Sequence, residues 1–292
     1  MPYLLHHVHM STRTSPTVKR RRIAAELRRL RARTGMSAEE AGRQVGLSKS
    51  AISRIENAES TPQVATVAAL MRLYGVAESD IEQIADIARQ ARTRGWWQRW
   101  NDVLPGWFDT YVGLESEASH ISEYEPQLVP GLLQTADYAR AVIKAEHPEE
   151  TPEGIERRVE LRLQRQRERL EHPPKLWVVL DEAVLHRIVG SRDIMRNQLK
   201  RLADVAVQPG NDIQVLSFEA GEHGSMGSAF FILRFPDVRD TPCVYLETRA
   251  GSLYLEEIDE VEQYTTLFDH LRATAVGVRR SEEMISEAIS RL

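Results

Sequence analysis

A single cysteine, Cys243, in 292 residues excludes an intramolecular disulfide and any zinc site built on thiolates within one chain. No apolar run approaches the roughly 20 residues that span a bilayer, and the opening MPYLLHHVHM is too short and too polar for a secretory signal. These absences predict a cytoplasmic protein. Catalytic signatures are missing as well: Gly221 to Gly227 lacks the lysine and following Ser/Thr of a phosphate-cradling loop, and neither a metal-ligand helix motif nor a nucleophile elbow occurs. That stretch reads instead as a hairpin turn. Glu182, Glu222, His223 and Glu247 would make an acid/base set only if the fold collected them. Glu182 is already explained by the dipole at the start of the DEAVLHRIVG helix. The expectation is a protein that is not an enzyme and that holds no cofactor and no metal. His6, His7 and His9 have ligand-like spacing, but no predicted element fixes their geometry. Residues 1–16 read as a disordered tail in which Met10 is a second candidate start.

What the chain does have is a lopsided charge. Its formal net charge is -5, yet residues 1–99 carry 17 Lys and Arg against 9 Asp and Glu, about +8, which leaves about -13 for the rest. A basic front end points to nucleic acid. A chain of 33.3 kDa also exceeds one average domain, so two are expected, with 17–94 as the DNA-binding one.

Ser37 to Asn57, SAEEAGRQVGLSKSAISRIEN, carries the strongest local signal. Ser37 with Glu40 is a capping box that starts a helix at Ala38, with Met36 and Ala41 as its staple. Ala41 and Val45 face inward, Gly46 ends the helix in a left-handed turn, and Leu47 plugs the corner. Ser48 caps the next helix, whose apolar side is Ala51, Ile52 and Ile55. Lys49, Ser50, Ser53, Arg54 and Asn57 project from the other side, where cations, hydroxyls and an amide suit phosphate oxygens and base edges in a major groove. Ser37, Arg43 and Ser48 complete the candidate DNA-facing set. On either side, Ile23, Leu27 and Leu30 mark a first helix. Thr61 and Pro62 begin a fourth, and Ser79 with Glu82 forms a capping box for a fifth.

These residues resemble the lambda-repressor-like (Xre/Cro) helix-turn-helix family over roughly Lys19 to Arg94, with Gly46, Ser48 and the ISRIEN run in register. The resemblance implies a five-helix all-α domain with a recognition helix from about Lys49 to Asn57. In it Lys49, Ser50 and Arg54 take groove-facing places, and Asn57 that of a phosphate contact. It also implies a partly buried ion pair between Arg31 and Glu56. Ala38 departs from the pattern, because that position is often a phosphate-touching glutamine.

Four of the five tryptophans lie in residues 95–117, read as a connector that docks the small domain on the large one or on a second subunit. From Ala118 to Leu292, short β-branched or aromatic runs alternate with helical ones. Strand candidates are His120 to Tyr124, Leu176 to Leu180, Ile213 to Phe218, Ala229 to Phe235, Val244 to Glu247 and Ser252 to Leu255. Helices are expected at Gly131 to Lys144, Thr151 to Leu170, Ile194 to Ala206 and Ile258 to Thr274. The close spacing of the last three strands favours an α+β domain with a mainly antiparallel or mixed sheet. Helix Thr151 to Leu170, with charges of both signs, reads as a solvated face. Tyr124, Glu182, His223 and Tyr254 are candidates for a small-molecule pocket.

Here EPQLVPGLLQTADYARA, LDEAVLHRIVG and GEHGSMGSAFFILRF resemble a domain of uncharacterised function that follows the same helix-turn-helix in actinobacterial, antitoxin-like regulators. That resemblance implies a transcriptional regulator of double-stranded DNA, a homodimer whose large domain dimerises and senses a small partner protein or a small-molecule effector. The alternative is an antitoxin-like interaction module that sequesters a small partner, with DNA binding secondary.

Overall fold

The computed structural model describes residues 15–170 and 173–292, and the chain divides into two compact units after Gly95. The histidines at positions 6, 7 and 9, Met10 and most of the expected tail lie outside the described residues. Ser15 and Pro16 do not belong to a tail: the Ser15 hydroxyl accepts the Thr17 N–H and Pro16 opens the first helix, where a proline loses no hydrogen bond.

Among the described residues the first unit has five helices, α1 (Pro16–Thr34), α2 (Ala38–Val45), α3 (Lys49–Glu56), α4 (Val64–Leu73) and α5 (Glu78–Gln90). Ile23 and Leu27 of α1, Ile52 of α3, and Val67, Leu70 and Met71 of α4 share one buried core. The ends of α4 and α5 differ from the sequence expectation. Gln63 and Ala77 occupy the N-cap positions and neither makes a side-chain cap bond, so Thr61 and Ser79 do not cap. Gly75 turns the chain at φ 77°, which lets α5 begin at once. Its first residue, Glu78, is held by a bidentate contact from Arg72.

The second unit opens with a 3-10 turn at Trp96–Trp100 and then runs α6 (Gly106–Glu115), β1 (His120–Glu125), α7 (Ala136–Glu146), α8 (Pro152–Glu168), β2 (Lys175–Asp181), α9 (Ala183–His186), α10 (Arg192–Ala206) and β3 (Asn211–Leu216). It continues with β4 (Phe230–Arg234), β5 (Cys243–Thr248), β6 (Gly251–Leu255), α11 (Ile258–Thr274) and α12 (Val278–Ser290). All six expected strands form. The expected helix from Gly131 is broken, with a 3-10 turn at Gly131–Leu133 and α7 starting only after Thr135 caps it.

The sheet is mixed, in the order β3-β2-β1-β4-β5-β6. β1 pairs in parallel with β2 and antiparallel with β4, so it is the seam between a parallel half and an antiparallel meander. This order overturns the hairpin reading of Gly221 to Gly227. β3 and β4 are separated by two strands, and the glycine-rich stretch belongs to a crossover.

One face of the sheet packs under α11, where Phe268 and Leu271 meet Tyr124, Val179, Phe230 and Val244. On the other face, Tyr111 of α6 lies with its ring 4.3 Å from Tyr245 and 5.7 Å from Phe231. The tryptophan-rich residues are built into this unit: Trp97, Trp100, Leu104 and Val112 cluster with Leu161 of α8. The outer edge of β3 is covered, since the Val215 N–H donates to Ser281 Oγ and its carbonyl accepts from Val276, which removes an open strand edge.

The turn between α2 and α3 imposes the tightest steric limit in the first unit. Gly46 is left-handed at φ 74°, and a Cβ at Gly42 would stand 2.5 Å from the Leu47 carbonyl oxygen. Gly42→Ala is therefore expected to lower the melting temperature of the first unit, by about 1–3 kcal/mol of stability. A wild-type thermal unfolding curve would show that the turn can open to admit a methyl group.

Candidate functional site

The amphipathic pattern of α3 decides its presentation. Ile52 and Ile55 are buried, so the opposite side of the helix must face outward. Lys49, Ser50, Arg54 and Asn57 are exposed there, and Ser53 is half-buried. The side chains of Lys49 and Arg54 make no hydrogen bond or ion pair among the described residues, whereas Arg29, Arg72 and Arg89 on neighbouring helices are paired with Glu26, Glu78 and Asp86. Two unneutralised cations thus stand on one exposed helix face.

The serines around them are partly engaged in shaping the turn. Ser48 Oγ accepts the Ala51 N–H at 3.1 Å and lies 3.0 Å from Ser50 Oγ. Ser37 is held in the capping box, its N–H and hydroxyl both 2.8 Å from Glu40 Oε2, and these bonds hold the Glu40 carboxyl below its ordinary pKa. Arg43, on α2, is exposed. Asn57 ends α3, its amide 3.5 Å from Glu59 Oε1. Ala58 follows at φ 57°, the one non-glycine residue with positive φ among the described residues.

The pose of α3 is fixed from behind. Arg31 on α1 donates from Nε to Glu56 Oε1 at 2.7 Å and from Nη2 to Glu56 Oε2 at 2.8 Å, while its Nη1 donates to the Met36 carbonyl at 2.8 Å. A bidentate fork of this kind sets both distance and rotation. It ties α1, the entry to α2 and the end of α3 together. Glu56 is 7% exposed, and its carboxylate is taken up by the fork.

In the second unit the four pocket candidates do not converge. Tyr124 Oη lies 3.3 Å from His223 Nε2, and the two rings are in edge contact. Glu182 is engaged elsewhere, accepting the Phe218 N–H at 2.9 Å and lying 3.2 Å from His186 Nε2. Tyr254 is on the opposite face of the sheet from Tyr124, its hydroxyl donating to the Trp107 carbonyl at 2.9 Å. Strand alternation is the reason. Tyr124 shares a face with Val244, the register partner of Leu255, and Tyr254 then points the other way.

A different group of polar residues does converge, on the face of β1 that carries Glu123 and Glu125. Helix α8, expected to be solvated, brings Arg162 and Arg165 within electrostatic reach of that face. Arg165 is 5% exposed and forks onto Glu115 at 2.7 and 2.9 Å. Arg169 is also buried, bonding the carbonyls of Ser116 and Ala118. Arg162 donates to Gln134 Oε1 at 2.6 Å.

Burial raises the Glu123 carboxyl well above its ordinary pKa, with Glu125 adding repulsion. Burial, then Glu247, pushes Glu125 up from 4.5 to about 8. Sequence reading missed this cluster. The available signal was HISEYE, a strand with acids at alternate positions on the face that a central strand has to bury.

A helix-turn-helix domain model matches residues 22–84, which spans α2, the turn and α3, and it supports a DNA-binding regulator. A second model, described as a domain of unknown function (DUF5753), matches residues 108–287, more than half of the chain. The chain belongs to the DUF5753 family. Its DUF5753 region takes in all six strands and the acidic cluster, and it begins just after Trp107. No curated protein and no solved structure matches the chain. Among the described residues, no helix is long and apolar enough to cross a membrane, and no group of three or more His, Cys, Asp or Glu could hold a metal ion.

Two outcomes follow from these geometries. Arg31→Ala strands the Glu56 carboxylate and should cost about 3 kcal/mol, read as an earlier thermal transition of the first unit; an unchanged transition would mean that the fork adds nothing. A carboxyl whose folded pKa exceeds its unfolded one contributes stability at low pH that is lost as pH rises through the folded value. For Glu125 that window runs from 4.5 to about 8. Glu125→Gln should therefore leave the melting temperature near wild type at pH 4 and raise it at pH 8.5, whereas an equal shift at both would refute the burial account.

Proposed function

We propose that the chain is a sequence-specific transcriptional regulator that acts in the cytoplasm as a homodimer on double-stranded DNA. The observation that carries this reading is the outer face of α3, where Lys49 and Arg54 are exposed and unpaired beside Ser50, Ser53 and Asn57. A helix held from behind and bare in front is the shape that enters a major groove. In this reading Arg54, Lys49 and Ser50 reach base edges, while Arg43, Asn57 and the serines at the two helix starts, Ser37 and Ser48, contact phosphates and set the register. The resemblance to lambda-repressor-like regulators supports the dimer, with half-sites one helical turn apart, about 34 Å.

The DUF5753 region would supply dimerisation and receive a signal, from a small partner protein or a small molecule, without catalysing a reaction. Its acidity argues against a second DNA contact. Residues 100–292 carry 21 Lys and Arg against 34 Asp and Glu, and phosphate would be repelled.

Binding of the full chain to a fragment upstream of its own gene, against a scrambled duplex across a salt series, tests the reading. Preference for the genomic fragment should persist at physiological salt. Equal binding to both, lost as salt rises, would reduce the interaction at that fragment to phosphate attraction. Arg54→Ala should weaken specific binding by about 1–3 kcal/mol and relax selectivity at one base pair. Retention of wild-type affinity and selectivity would remove Arg54 from the reading surface.

A further inference from the structure

β1 is the strand at which the parallel half of the sheet meets the antiparallel half, and Glu125 is its last residue. In open sheets with parallel strands, ligands collect at the carboxyl ends of those strands. Here the end of β1 is flanked by Glu247 near the end of β5, by Arg162 on α8 and by Gly131 in the 3-10 turn that precedes α7. Gly131 lies against the arginines: a Cβ there would stand 3.5 Å from Arg162 Nη1 and 3.6 Å from Arg165 Nη2. Glu125, Arg162 and Gly131 are half-buried and Glu247 is exposed, while Glu123 and Tyr245 beneath them are buried. Groups that touch solvent yet lose much of their hydration stand in a recess, and burial is the largest cause of the upward pKa shifts of Glu125 and Glu247 and of the downward shift of Arg162.

The floor of that recess is unsatisfied. Glu123 is 3% exposed, and its Oε1 has no hydrogen-bond partner. A buried carboxyl without a partner is costly, and native structures rarely keep one outside a functional position. The charges around it are unequal. Arg165 is consumed by its fork to Glu115. That leaves Glu123, Glu125 and Glu247, with Glu146 of α7 within electrostatic reach of Glu125 and Glu247, facing the single guanidinium of Arg162. Arg162 is itself drawn toward Gln134, and the Tyr245 hydroxyl, donating to Glu247 Oε2 at 2.9 Å, fixes one carboxylate at the rim.

We propose that this recess is a binding site for a small organic cation, an ammonium or guanidinium group that enters between Glu125 and Glu247 and bonds the Glu123 carboxyl at its floor. The site stands on the DUF5753 region alone, so it holds or fails independently of DNA binding. Because the Glu125 carboxyl holds a proton in the empty site below about pH 8, the incoming cation displaces that proton, which passes to the buffer.

The chemistry is shared by a free cation and by a basic side chain of a protein partner. Titration calorimetry of the full chain with methylguanidinium, with agmatine and with a capped tripeptide bearing a central arginine separates the two sources. At least one probe should bind saturably at one site per chain, release protons when measured in two buffers of different ionisation enthalpy, and bind about tenfold more tightly per pH unit from pH 6 to about 7.5. Binding by agmatine or methylguanidinium but not by the tripeptide identifies a free cation, and the reverse identifies a partner side chain. Glu123→Gln/Glu125→Gln keeps the shape of the neutral acids and should fold, as its thermal melt would show, while weakening binding at least about thirtyfold at pH 8; Glu282→Gln/Glu283→Gln on α12 should leave it unchanged. No saturable binding by any of the three up to about 10 mM, a range that spans millimolar affinities, or equal affinity in the Glu123/Glu125 variant, would overturn the proposal.

Discussion

A guanidinium withdrawn from water has to find acceptors, and in each unit one such arginine forks onto a carboxylate. In the first, Arg31 forks onto Glu56; in the second, Arg165 forks onto Glu115, with side chains 5% and 2% exposed. Such pairs add little net stability over an apolar core, because desolvation consumes most of the Coulomb gain. Their value is directional, since two parallel N–H···O bonds leave neither helix free to rotate. The Arg31 fork aims α3, and the Arg165 fork seats α8 beneath the sheet with α6. Tyr111 and Phe108 complete the second arrangement, their rings 5.4 and 5.0 Å from the Arg165 guanidinium.

Charges that do not find a partner stand out against this background. On α3 they are cations in water, where leaving them unpaired costs nothing and keeps them available to an incoming anion. On β1 the unpaired group is a buried acid, where the same condition is expensive and is relieved by holding a proton. Both are places where the fold stops short of satisfying its own groups. The difference in sign matters. The first site suits polyanionic DNA, and the second, with more carboxyls than guanidiniums, suits a cation.

How far this was legible in the sequence depends on the range of the interaction involved. The capping box of Ser37 and Glu40, the left-handed Gly46 and the outward face of α3 are contacts within one turn, and residue identities specify them. Ser79 misled because a capping box needs the helix to start after it, and Gly75 released the chain early enough for α5 to start at Glu78. Gly42 gave no local signal; its need for a bare Cα comes from the Leu47 carbonyl folding back on it. The six strands were visible as apolar runs, but their order was not, so Gly221 to Gly227 looked like a hairpin and Tyr254 like a neighbour of Tyr124. Helix α8 shows the same limit: mixed charge reads as a solvated surface until the topology places carboxylates opposite its arginines. Helices α6 and α12 were missed, the first because its aromatic run Trp107 to Tyr111 resembles a connector more than an amphipathic face.

The charge of the whole chain poses a last physical question for a DNA-binding reading, since a net -5 opposes approach to a polyanion. Screening resolves it. At physiological ionic strength the Debye length is about 8 Å, so a phosphate at the α3 surface responds chiefly to the charges within that range. What it meets is a basic unit with Lys49 and Arg54 uncompensated at the contact face. As salt falls the screening length grows, and the net -5 of the whole chain begins to be felt. Low salt therefore strengthens the local attraction and, at the same time, admits a long-range repulsion that a compact basic domain alone would not have. The salt dependence of this chain on DNA should accordingly be shallower than the cations on its reading face imply.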